Sequence, residues 1–105
     1  MAITGSPEYG DVLEDVFVQK TVSVGTSATK LAVAANADPD RELIRIYNDS
    51  SSTVYIGPST VTISGSTKGE PLLKKQWIEL PFGPDLEVYG IVASGTADVI
   101  VTEAG

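Results

Sequence analysis

The amino-acid sequence predicts an all-β fold: a small antiparallel β-sandwich or barrel, jelly-roll-like, of seven to eight short strands with an extended N-terminal arm. Three observations lead there. Val, Ile, Thr, Ser and Gly dominate while Met, Gln and Arg are scarce; β-branched side chains lose rotamer freedom in a helix and pack well on a pleated surface. From Val16 onward, apolar and polar residues alternate in short runs, each ended by turn-forming residues, the period of half-buried strands. No segment sustains a helical period, and the one weak candidate, 28–37, starts among Thr and Val.

Residues 1–15 form the arm and 16–105 the sandwich domain. The arm holds two glycines, a proline and four acids without a sustained period. A frayed terminus is one reading. The apolar residues Ile3, Tyr9, Val12 and Leu13 support the other, an arm that lies on a partner.

In the domain, Val16, Val18, Val22 and Val24 alternate with polar residues and Phe17, and Lys20 interrupts the apolar face. Gly25, Thr26 and Ser27 are turn chemistry. Thr29, Leu31 and Val33 alternate next, closed by a loop at 36–40. Residues 43–47 and 53–57, joined by the polar turn 48–52, read as the clearest hairpin. Val61 and Ile63 predict a short strand, and Pro71, which cannot donate to a ladder, puts its stretch at an edge or in a loop. Residues 76–80 form a strand before the corner 81–85. Residues 86–93 and 97–102 read as a last hairpin around Ser94, Gly95 and Thr96. Seven or eight strands in a chain of this length match a sandwich or small barrel.

Composition narrows the function. A chain of 105 residues buries only about 60–70% of its unfolded surface, so function is expected on the outside or at an interface. Fourteen acids against seven bases give a net charge of −7. That opposes direct nucleic-acid binding, which rests on clustered Lys and Arg, and docking to an anionic membrane. Cysteine is absent, which removes disulfides and thiolate sites. The opening residues carry no signal-peptide pattern and no apolar run reaches membrane-span length, so production in a cytoplasm is expected.

Catalytic chemistry finds little support. Histidine is absent, and with it the usual general base, triad and most metal sites. Glu79, Asp85 and Glu87 are near in sequence, and paired carboxylates can hydrolyse glycosides; acids alternating along a strand more often make its wet face. Asp38-Pro39-Asp40 lacks the regular acid spacing of a calcium loop. Gly65 and Gly69 are not followed by the Lys-Ser/Thr of a phosphate loop. No enzyme activity and no cofactor are expected.

The aromatics say more. Tyr47, Tyr55, Trp77 and Tyr89 have the opposite strand parity to Ile46, Val54, Ile56, Ile78 and Val88, which are expected to face the core. The rings face outward or into a second sheet. Packing between sheets, a protein interface and a sugar platform are the three readings, in that order.

Four segments carry a resemblance: Val22 to Leu31 (VSVGTSATKL), Ile46 to Gly57 (IYNDSSSTVYIG), Gly69 to Leu72 (GEPL) and Val88 to Val99 (VYGIVASGTADV). In this order they resemble the small β-rich virion proteins of tailed bacteriophages, over roughly residues 20–103. That family often has a glycine turn where this chain has Lys74-Lys75. The resemblance implies a structural protein on the capsid surface that decorates or cements the head. Its partners would be the major capsid protein and itself, as a homo-oligomer, trimers being common in such proteins. The alternative it implies is a carbohydrate-binding or knob domain of a tail fibre. The candidate partner-binding residues are therefore Ile3, Tyr9, Val12, Leu13, Tyr47, Tyr55, Trp77 and Tyr89.

Overall fold

The alternating runs of the domain become eight strands in a computed structural model that describes residues 15–105. They are β1 (Phe17–Val24), β2 (Thr29–Lys30), β3 (Leu43–Asn48), β4 (Val54–Gly57), β5 (Glu70–Leu72), β6 (Trp77–Leu80), β7 (Tyr89–Ile91) and β8 (Ala97–Ala104), with a single 3₁₀ turn at Gly65–Thr67. They form two four-stranded sheets, β1-β8-β3-β6 and β2-β7-β4-β5, with every ladder antiparallel. Eight strands in this order make a jelly roll, two sheets closed over one core.

The period-2 pattern sets the faces. Along β8, Ala97, Val99, Val101 and Glu103 are buried, while Asp98, Ile100, Thr102 and Ala104 point the other way. Val24, Leu31, Ile44, Ile46, Val54, Ile56, Leu72, Val88, Val92, Val99 and Val101 fill the space between the sheets. Burying each such side chain contributes about 1.5–3 kcal/mol. The expected core positions Ile46, Val54, Ile56 and Val88 are all there, and Ile78 is half-buried against them.

The two expected hairpins are not hairpins. β3 pairs with β8 and β6, whereas β4 pairs with β5 and β7. Likewise β7 lies in the second sheet and β8 in the first. Only β4 and β5 are both consecutive and paired; every other connection carries the chain from one sheet to the other. A short polar turn serves an arch between sheets as readily as a hairpin within one, because in both the flanking strands show the same alternation. The strand expected at Val61 and Ile63 reduces to one bridge between Thr62 and Lys68. Pro71 lies in β5, an edge strand, where a missing N–H costs no ladder bond.

Buried polar side chains hold the two ends of the roll. At the arch end, Asn48 is fully buried. Its amide donates to Ser52 O (2.7 Å) and Leu72 O (2.9 Å), and its Oδ1 accepts from the N–H and hydroxyl of Ser50. It thus satisfies the turn after β3 and joins it to β5 in the opposite sheet. At the other end Arg41 and Glu103 form an ion pair of 2.8 Å with both side chains 1% exposed. The same guanidinium donates to Phe82 O (3.1 Å), Gly83 O (2.6 Å) and Leu86 O (2.8 Å). One residue therefore fixes the whole 82–86 corner. The ends of the domain meet nearby, where Val16 N–H donates to Gly105 O (2.8 Å) and Gly105 N–H to Val16 O (3.0 Å).

Candidate interaction surface

Register places the candidate aromatics. Thr21 lies opposite Ile100, Ile100 opposite Tyr47, and Tyr47 opposite Trp77. These four make one cross-strand row over the outer face of the first sheet. In the next row Gln19, Thr102, Arg45 and Glu79 are aligned in the same way. Opposed side chains are about 4.5–5.5 Å apart at Cβ, so Ile100, Tyr47 and Trp77 form a continuous apolar band. Trp77 is 54% exposed and Tyr47 is half-buried by its neighbours. The Arg45 guanidinium lies 4.4 Å from the centre of the Trp77 ring. Stacking of this kind contributes about 0.5–1 kcal/mol at an exposed site; here it also occupies one face of the indole and limits the ring's freedom.

Tyr55 and Tyr89 lie on the other sheet. Tyr55 is opposite Ile91 and Tyr89 opposite Gly57, so the tyrosines are diagonal neighbours on β4 and β7. The Lys68 ammonium is 5.7 Å from the Tyr55 ring. Tyr89 donates to Glu87 Oε1 (3.3 Å), and Lys30 pairs with Glu87 at 3.1 Å. The hydrogen bond and charge of Lys30 hold the Glu87 carboxyl below the ordinary carboxylate range; that of Glu87 raises Lys30. The four rings are thus brought together in two pairs on opposite outer faces. Packing of the rings between the sheets, the first of the three readings, does not occur: their strand parity points them away from the core. The arm candidates Ile3, Tyr9, Val12 and Leu13 lie outside the described residues.

The three acids do not converge. Glu79 is on the outer face of the first sheet across from Arg45, Asp85 is in a turn, and Glu87 is engaged with Lys30 ahead of β7. Asp38 Oδ1 accepts from Asp40 N–H (3.0 Å), closing a local turn. Among the described residues no group of three His, Cys, Asp or Glu side chains is placed to hold a metal ion.

Sequence reasoning passed over three features. Arg41, Glu103 and Asn48 are buried polar groups, and only polar residues interrupting an apolar parity (Glu103 after Val99 and Val101, Asn48 after Ile44 and Ile46) signal them in the sequence. Arg45 was visible as a strand residue, yet its place over Trp77 depends on the β3–β6 register. An open apolar cleft between the sheets, described below, also has no local signal. Comparisons with protein families, curated proteins and solved structures give no match.

Proposed function

We propose that this chain is a non-enzymatic structural protein of a tailed-bacteriophage virion that decorates the capsid surface. On this reading it docks on the major capsid protein through the outer face of its first sheet and acts as a homo-oligomer, a trimer. The carrying observation is the band of Ile100, Tyr47 and Trp77, with Arg45 stacked on the indole. Aromatic residues and Arg are enriched at protein interfaces and supply most of their hot spots. The resemblance in strand and turn segments supplies the virion context. Jelly rolls occur in viral capsid proteins and in lectins alike, so the fold agrees with both readings and selects neither.

The fibre reading takes Trp77 as a sugar platform. Its exposure favours that reading; the guanidinium over one ring face disfavours it, since a pyranose stacking there must displace Arg45. The protein-interface reading uses the pair as it stands.

Cosedimentation with capsids that lack the protein tests the proposal. Saturable binding at a fixed ratio to the major capsid protein is expected, and Trp77→Ala is expected to weaken it by about 30-fold or more, the effect of a hot-spot truncation. Absence of capsid binding by the wild-type chain refutes decoration. Glycan binding lost in Trp77→Ala would then establish the fibre reading.

A further inference from the structure

At both edges of the first sheet, residues of inward parity stay exposed or half-exposed. At the β1 edge, Val18 and Lys20 have the inward parity, opposite Glu103 and Val101. Yet Val18 is 39% exposed and Lys20 is exposed too. At the β6 edge, inward-facing Ile78 and Leu80 are only half-buried. With Ile56, Phe82 and Leu86 they line an open apolar cleft of about 550 Å³, with Glu70 at its margin. Leu86 is 55% exposed.

These edges are complementary. One offers an apolar knob followed by a cation, the other an apolar cleft beside an anion. Neither Lys20 nor Glu70 enters an ion pair among the described residues. Within one molecule they cannot meet, because β8 and β3 stand between them; three inter-strand spacings amount to roughly 14 Å. Register also sets their heights. Val18, Glu103, Ile44 and Leu80 form one cross-strand row, and Lys20, Val101, Ile46 and Ile78 the next. Knob and cleft thus sit at the same level on opposite edges.

We propose that a second copy of this chain fills the cleft: Val18 of one copy enters between Ile78, Leu80, Phe82 and Leu86 of the next, with Lys20 near Glu70. The contact is head-to-tail, so each copy uses both edges. Because the two lie at one level, a rotation about an axis along the strands carries one onto the other without a shift, and such contacts close into a ring. The free edges of β1 and β6 run antiparallel across the sheet, so that rotation also brings them together in the antiparallel sense. This inference rests on the self-association part of the reading above and names its surface; capsid binding is not needed for it.

The test is the mass of the purified full chain in solution, by sedimentation velocity over a wide concentration range, without capsids. The wild type is expected as one closed oligomer. Val18→Glu and Leu86→Glu, both at exposed positions, are each expected to weaken association by at least about tenfold while leaving the circular dichroism spectrum unchanged. Mixed together, the two variants are expected to form a dimer, since the mixture keeps one intact knob and one intact cleft. A monomeric wild type at high concentration overturns the inference and the self-association it rests on. An oligomer indifferent to both substitutions, or variants that fail to complement in the mixture, overturns the head-to-tail contact alone. Capsid binding by a monomeric wild type would leave decoration standing without it.

Discussion

Replacing Arg41 by methionine keeps most of the aliphatic stem and removes the charge from the most buried ion pair in the domain. Glu103 then stays 1% exposed without its cation, and the carbonyls of Phe82, Gly83 and Leu86 lose the guanidinium's hydrogen bonds. Breaking a buried pair from one side costs about 3–5 kcal/mol. A domain of this size has roughly 5–15 kcal/mol of stability, so the variant should lose a large part of it. At about 4–8 °C per kcal/mol, the melting temperature should fall by roughly 12–40 °C. Urea unfolding at one fixed protein concentration measures this cleanly, because the stability of any protein that self-associates depends on its concentration. The double variant Arg41→Met with Glu103→Leu separates the causes. Removing the stranded carboxylate should recover about 2 kcal/mol or more, leaving mainly the carbonyls, which lie in a partly exposed corner able to take water. A loss below about 1 kcal/mol in the single variant, or a double variant no more stable than the single, would refute the assignment of that clamp to the buried charge pair.

Two further outcomes follow from exposed positions. Lys75 adopts φ 59°, the left-handed region. Lys75→Gly should raise the melting temperature by a few degrees despite losing the 2.9 Å contact with Asp49, since a left-handed conformation is costly for a residue with a Cβ and free for glycine; a fall in melting temperature would contradict it. The Glu87 carboxyl, held down first by its hydrogen bond to Lys30, should titrate below the ordinary carboxylate range by NMR and move up in Lys30→Met. Its contribution to stability is present above the unfolded-state value and is lost as pH falls through the lowered folded-state value; that of Lys30, raised by the same partner, is lost only as pH rises through its raised value. An unchanged Glu87 midpoint in Lys30→Met would sever the link.

The strands were legible because burial imposes period 2 locally. Ile44 and Ile46, Val54 and Ile56, and Val99 and Val101 each mark a core face without any knowledge of partners. Pairing was not legible. The turn 48–52 satisfies its polar groups through Asn48, which reaches Ser52 within the turn and Leu72 in the other sheet; the second of these bonds makes the turn an arch, and sequence proximity carries no trace of it. The same holds for β7 and β8, whose intervening Gly95 takes φ 65° as a hairpin glycine also would.

Parity alone turned Tyr47 and Trp77 outward, but the site needed register as well. A slip of one residue between β3 and β6 would put Trp77 on the inner face and Ile78 on the outer. What pins the register is the core: Ile46 opposite Ile78 and Ile44 opposite Leu80. The apolar residues that fix the band of Tyr47, Trp77 and Ile100 are therefore the ones behind it. Ile78 and Leu80 take part twice, holding the register of the outer face and lining the cleft on the inner one. A polar substitution at Ile78 should consequently disturb both surfaces together, whereas Trp77→Ala should affect only the outer face and Leu86→Glu only the cleft.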